Sequence, residues 1–255
     1  MKSTRILENR ALAERIYLLT LQIDEDLMNK LSPGHFVKIK LPDQRLDPLF
    51  PRPYTIHSLI GGHLQVLYQI VGKGTRALSQ LTAGTDLEIL VPLGRPFPRD
   101  LGYPLALVAG GVGVAGFGFL LESLPQEKRK ETILYYGASS KESLVRLDYW
   151  ETFGVTLKLA TEDGSAGYKG FVTDLLQSDL SERKFKSILA CGPMPMLKRI
   201  KEIAANSTIK TYLSMESFMA CGTGFCKGCV VPRKGGGYFH ICEDGPTFLA
   251  DDIIL

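Results

Sequence analysis

No block of like charge longer than a few residues occurs in this chain. Its 30 Lys and Arg against 27 Asp and Glu leave a formal net charge of +3, a balance that excludes a nucleic-acid-binding surface. A secretory leader is missing too: Met1 to Arg15 is polar and charged with no apolar core. A reducing cytoplasm is therefore the expected compartment, and a disulfide framework is a poor reading of the cysteines. The sequence has no internal repeat and no low-complexity segment. A stretch of 17 uncharged residues, Leu105 to Leu121, falls short of the about 20 apolar residues a membrane helix needs. Gly110, Gly111, Gly113 and Gly116 interrupt it, so it reads as a buried strand entering a glycine loop, with no membrane involved.

What is present is concentrated near the C-terminus, where four of the five cysteines stand as Cys221-x4-Cys226-x2-Cys229-x12-Cys242. Two irons need four thiolates, and a short glycine-rich loop can wrap three of them around a [2Fe-2S] core while the fourth arrives from a later strand or turn. Gly222, Gly224 and Gly228 supply that loop, with positive φ and close N–H groups expected at each. Structural zinc pairs C-x2-C with a second close pair, which this spacing lacks. A non-catalytic zinc-binding interaction module is the alternative from another functional class. His240 lies two residues before Cys242, but a mixed histidine site needs two histidines, so a packing role is expected for it.

The chain's 255 residues, 45% of them hydrophobic, suffice for two domains and a small appendage. Residues 15–23, 35–41, 63–71 and 86–91 read as strands separated by turns, which predicts an antiparallel β-barrel over 1–100. Alternation puts Val37, Ile39 and Leu41 on one face and Lys38 and Lys40 on the other. Over 101–210 short apolar runs at 105–109, 132–136, 155–159 and 187–190 alternate with helices, the pattern of an α/β domain with a parallel sheet. Residues 211–255 form the cluster module.

Between two of the first strands lies Arg52-Pro53-Tyr54-Thr55, and after Leu67-Tyr68-Gln69 comes Gly72-Lys73-Gly74-Thr75, a cradle for an anion at a helix start. The first α/β turn, Gly111-Val112-Gly113-Val114-Ala115-Gly116, is formally G-x-G-x-x-G. The second strand ends Gly137-Ala138-Ser139-Ser140-Lys141, without the acid that a dinucleotide fingerprint places on the ribose, which argues against a true Rossmann fold. Two more loops are candidates, Asp163-Gly164-Ser165 and Cys191-Gly192-Pro193. An Asx turn is the competing account of Asp163, and a small buried side chain that of Cys191.

Arg52 to Thr55 resembles the flavin motif of the ferredoxin-reductase-like superfamily. The resemblance implies FAD held by Arg52, Pro53, Tyr54, Thr55, Leu67, Tyr68, Gln69, Gly74 and Thr75. In it Arg52 binds the pyrophosphate, Tyr54 packs along the flavin, and the Thr55 hydroxyl points at its reactive end. It also implies NAD held by Gly111, Gly113, Asp163, Cys191 and Gly192. Met219-Ala220-Cys221-Gly222, Phe225 to Val231 and Ile241 to Phe248 resemble the cluster segment of the electron-transfer subunits of type B dihydroorotate dehydrogenases. That likeness covers the whole chain. It implies electrons passing from the FMN of a catalytic partner through the cluster and FAD to NAD+, in a heterotetramer with two copies of each subunit. No residue here is then catalytic toward dihydroorotate. The nearest alternative is the FAD and cluster subunit of another NAD(P)-linked complex, such as a sulfide dehydrogenase or ferredoxin:NADP reductase. Phe218, Met219, Phe225 and Phe239 are expected to form either the core of the small module or an interface patch, core being the commoner fate of any one of them.

Overall fold

The computed structural model describes every residue except 43–46, 48 and 206. Seven strands make the first sheet: β1 (Lys2–Ala13), β2 (Ile16–Gln22), β3 (Phe36–Lys40), β4 (Arg52–Thr55), β5 (Ser58–Ile60), β6 (His63–Gln69) and β7 (Asp86–Leu93). All neighbouring pairs are antiparallel, in the order β4-β3-β7-β1-β2-β6-β5. The two outer strands are consecutive in the chain. Ile56 and His57 join them, donating N–H bonds to His35 O at 3.3 Å and Gln65 O at 2.8 Å. Ile6, Leu19, Val37, Ile39, Val66 and Ile89 fill the inner face.

Four of these strands match the sequence expectation, but β1 does not, since its charged sequence gave no strand signal. Only Thr4 and Ile6 of β1 are buried. The other face is solvated, and a strand wet on one side can carry Lys, Arg and Glu there. Lys38 departs from the expectation in another way. It faces away from Val37 and Ile39 as alternation requires, yet is only 1% exposed, because the C-terminal segment covers that side of β3.

The second sheet holds β8 (Leu105–Gly110), β9 (Thr132–Ala138), β10 (Thr156–Thr161), β11 (Tyr168–Lys169), β12 (Ser187–Cys191) and β13 (Lys210–Ser214). They are parallel in the order β11-β10-β9-β8-β12-β13. Helices cover both faces, so β8 is apolar throughout, Leu105, Leu107 and Ala109 packing on one side and Ala106 and Val108 on the other. The glycine turn after β8 does not open an α-helix directly. Gly111–Phe117 winds as a 3₁₀ segment before the helix Gly118–Ser123. Beyond β13 come a two-stranded hairpin, β14 (Val230–Pro232) with β15 (Tyr238–His240), and β16 (Thr247–Leu249), which returns antiparallel to β13. The cysteine-bearing segment is thus tied at both ends to the second sheet. No helix among the described residues is long and apolar enough to cross a membrane.

A buried polar network joins the two sheets. Glu122 accepts bonds from Ser58 Oγ at 2.5 Å, Leu59 N at 3.0 Å and the Tyr149 hydroxyl at 2.9 Å. The His57 ring, 0% exposed, lies between Ala115 O at 2.9 Å and Arg146 Nη1 at 2.6 Å. Arginine can only donate, so Nε2 accepts and Nδ1 carries the proton that goes to Ala115. Burial first, and the Arg146 charge second, hold His57 neutral with a pKa pushed down to about 3. The unfolded chain takes up a proton near pH 6.5 that the folded chain refuses, so this site's stability is intact above that pH and declines as pH falls toward 3. Wild type should lose about 2 kcal/mol more than His57→Gln between pH 7.5 and pH 5, read from denaturant unfolding. Equal losses would remove His57 from the account of acid sensitivity.

Candidate functional site

Two cavities open along the seam between the sheets. One, of about 240 Å³, is lined by Tyr54, Thr55, Thr75, Gly113, Cys191 and Glu216 among others. The second, of about 520 Å³, lies over the C-terminal ends of β8, β9 and β10 and includes Gly111, Ser139, Glu162, Phe171 and Arg199. Gln69 and Val112 line both, so the two are one trough.

Of the residues expected at a flavin, Pro53, Tyr54, Thr55, Leu67, Tyr68, Gln69 and Thr75 line the smaller cavity. Tyr68 is turned into the sheet's core, its hydroxyl donating to Asn9 Oδ1 at 3.0 Å and its ring meeting Tyr54 edge-on at 5.8 Å. Arg52 and Gly74 are beside the cavity rather than in its wall, and they touch. A Cβ on Gly74 would come 3.1 Å from Arg52 Nε, so glycine is what lets the guanidinium lie against the helix Lys73–Ser79. The Thr75 hydroxyl accepts from Val71 N at 2.9 Å and Gly72 N at 3.1 Å, which ties the start of that helix.

The expected nucleotide residues divide. Gly111 lines the larger cavity, and Gly113 and Cys191 the smaller. A Cβ on Gly113 would fall 2.2 Å from Cys191 O, so this glycine permits the close approach of the first turn to the end of β12. Burial, helped by the Glu216 charge, pushes the Cys191 thiol up to about 12, which makes it a packed thiol and no nucleophile. Asp163 and Gly192 line neither cavity. Asp163 accepts from Ser165 N at 2.9 Å and Ser165 Oγ at 2.6 Å, an Asx turn, and its neighbour Glu162 faces the trough instead. Gly192 is a packing position, where a Cβ would sit 2.6 Å from Met196 Cε.

Glu216 carried no sequence signal. It follows β13 by two residues, lines the cavity with Thr55 and Cys191, and burial pushes its carboxyl above the usual range. Met215, Ser217 and Met219 line the same cavity, so the wall of the trough runs directly into Cys221.

The four cysteines converge on one loop. Cys229 Sγ and Cys242 Sγ are 3.2 Å apart, too far for a disulfide, and both are buried. Cys226 is exposed and Cys221 half-buried. Backbone N–H groups point at the sulfurs: Gly224 N lies 3.1 Å from Cys242 Sγ, Cys226 N 3.3 Å and Thr223 N 3.4 Å from Cys221 Sγ. Desolvation raises the Cys221 thiol, but those two N–H groups outweigh it and bring the thiol down to about 6. Gly222 and Gly224 take φ of +78° and +79°. Gly228 does not, and Lys227 takes the left-handed conformation instead, φ 55°, its ammonium paired with Glu243 at 2.7 Å. Among the described residues no set of three His, Cys, Asp or Glu donors is arranged to hold one metal ion. The open ring of four thiols with inward N–H groups fits a two-iron cluster, whose sulfurs need such donors. His240 is no part of the ring. Its N–H donates to Asp244 at 2.8 Å.

Of the aromatic group, Met219 and Phe239 pack on the core, whereas Phe218 and Phe225 are 99% and 90% exposed. Core was the favoured expectation for each, with an interface patch as the alternative, and the four divide between burial and exposure. The segment is too thin to cover the two that flank the outer cysteines.

Residues 216–254 match the iron-sulfur cluster binding domain of dihydroorotate dehydrogenase B, and residues 107–202 the oxidoreductase NAD-binding domain. The dihydroorotate dehydrogenase B (NAD(+)) electron transfer subunit homolog of Aquifex aeolicus is 36% identical over 99% of this chain and 98% of its own length. The electron transfer subunit of Clostridium acetobutylicum is 33% identical over 98% and 96%. Among solved structures, an NADH-dependent reduced ferredoxin-NADP oxidoreductase studied for flavin-based electron bifurcation covers 100% of this chain and 90% of its own, with TM-score 0.87 and 28% identity. A Neisseria gonorrhoeae ferredoxin NADP+ reductase with bound FAD and NADP shares the fold over 80% of this chain and 90% of its own, with TM-score 0.69 and 15% identity. The fold is ferredoxin-reductase-like, with an NAD-binding domain and a C-terminal iron-sulfur domain, and the chain belongs to the family of dihydroorotate dehydrogenase B (NAD(+)) electron transfer subunits.

Proposed function

We propose that the chain carries electrons from the FMN of a dihydroorotate-oxidising catalytic subunit to NAD+ in the cytoplasm, within a heterotetramer of two subunits of each kind. The supporting observation is continuity: the nucleotide cavity, the flavin cavity and the segment leading to Cys221 share walls. In this reading residues 1–100 curl into a barrel that holds FAD, 101–210 hold the nicotinamide nucleotide, and 211–255 wrap the cluster. Bound FAD would supply the exchange between single electrons and hydride that neither a cluster nor NAD+ can perform alone.

The chain's own residues bind, orient and shield. Arg52 reaches the FAD pyrophosphate from Gly74, Tyr54 supplies a flat apolar wall, and Thr55 presents a hydroxyl within the cavity. Gly111 and Gly113 let the nucleotide approach the backbone beside Cys191. Cys221, Cys226, Cys229 and Cys242 ligate iron. The exposed Phe218 and Phe225 beside the outer cysteines suit a docking face where an electron has a short path to a partner. No residue acts as acid or base on dihydroorotate.

Arg52→Ala removes a charge-assisted contact worth about 1.5 to 3 kcal/mol and should weaken FAD binding about ten-fold or more. Unchanged affinity by flavin fluorescence would put the pyrophosphate elsewhere. The function itself is tested on the purified chain, which should reduce an artificial dye with NADH and should not oxidise dihydroorotate. The whole-length likeness to a reduced ferredoxin-NADP oxidoreductase chain favours a second reading, a subunit of that kind of complex. Coupling to reduced ferredoxin in place of dihydroorotate would support it.

A further inference from the structure

Among the described residues, Lys38 and Asp179 are the only Lys, Arg, Asp or Glu side chains that are buried. Asp179 is answered by Lys158 Nζ at 2.5 Å and the Tyr135 hydroxyl at 2.5 Å. Lys38 has no such answer. Among the described residues no carboxylate stands within ion-pair distance of its ammonium, which donates instead to Ala220 O, the carbonyl just before Cys221. Its stem lies under the cysteine loop, so closely that a Cβ on Gly222 would come 2.5 Å from Lys38 Cδ. A buried ammonium held by one neutral carbonyl is costly, and sequences keep such a charge where an opposite charge meets it. Two ferric ions, two sulfides and four thiolates sum to a dianion, and one added electron makes a trianion.

We propose that Lys38 is the built-in counter-ion of the cluster, a fixed positive charge that stabilises the reduced form and raises its reduction potential. The proposal rests on the reading of Cys221, Cys226, Cys229 and Cys242 as cluster ligands. Lys38 stands opposite Pro53, and Ile39 opposite Arg52, in the β3–β4 ladder. One strand pair therefore carries both this charge and the flavin motif, and sets the cluster's electrostatics from the flavin-binding side. The residue positions and tunes, and touches neither substrate nor nucleotide. No cysteine motif could have disclosed it, because it lies more than a hundred residues earlier in the chain.

The test is a potentiometric titration of the cofactor-loaded chain, followed by electron paramagnetic resonance of the reduced cluster, in wild type, Lys38→Gln, Lys38→Met and Lys38→Arg. Gln keeps a donor for Ala220 without the charge, and Met keeps the apolar stem alone. Both should shift the reduction equilibrium at least ten-fold toward the oxidised form, about 59 mV for one electron, while Arg stays near wild type. A wild-type potential in Lys38→Gln with full iron and sulfide content overturns the counter-ion while leaving the cluster ligands standing. Absence of iron and sulfide from wild type overturns the cluster reading itself. If Gln and Met both lose the cluster, Arg decides: it must restore iron content and potential, and its failure contradicts a role through charge.

Discussion

Serine at Cys221, Cys226, Cys229 or Cys242 should remove or severely damage the visible absorption of the iron-sulfur cluster, while serine at Cys191 should leave it intact. The four are set apart by surroundings and not by chemistry, since all five are free thiols. Cys191 closes β12 in the wall of the smaller cavity, its thiol held protonated by burial. The other four ring a loop whose N–H groups aim at sulfur. Within the ring a gradient is expected. Cys229 and Cys242 are buried, so losing either leaves an iron without a ligand in a site water cannot fill. Cys226 is exposed, and there serine or water can substitute in part, giving a labile cluster with altered absorption. Iron and acid-labile sulfide content measures both. Loss of the cluster in Cys191→Ser, or its retention in all four others, would contradict the ligand assignment.

The antiparallel strands β2, β3, β6 and β7 and the parallel strands were legible because their inward faces are apolar at the right period, as at Val37 and Ile39 or Leu105 and Leu107. The cysteine loop was legible because four of the five cysteines stand there at short spacings among glycines. What stayed hidden depends on contacts between distant parts of the chain. Alternation put Lys38 on the face away from the first core, but nothing in 35–41 tells that residues 220–222 cover it. Glu216 gains its role from the cavity it closes, and an isolated Glu after a strand has no pattern to detect. Asp163 stood in a loop of the expected kind, yet one residue of register decides which carboxylate faces the trough, and the Ser165 bonds turned Asp163 away. Phe218 and Phe225 illustrate the reverse case. Hydrophobic composition predicts burial, and only the geometry of a short arm exposes them.

The isolated chain should carry electrons between NADH and an artificial acceptor, yet leave dihydroorotate untouched. The two cavities along the seam form one trough between the sheets, and in the proposed function FAD and NAD+ take it up. Two strongly exposed aromatics, Phe218 and Phe225, instead flank the outer cysteines, where a partner's cofactor would need to come close. Adding the FMN-containing catalytic subunit should therefore restore what neither chain does alone. The most direct measurement is anaerobic NAD+ reduction by dihydroorotate, with this chain, the catalytic subunit and the two together, the complex being sized on the same samples. Stoichiometric NADH is expected only from the stable complex, and none when Cys242→Ser replaces the wild-type chain. Dihydroorotate oxidation by this chain alone would contradict it, as would failure to bind the catalytic subunit while coupling to ferredoxin.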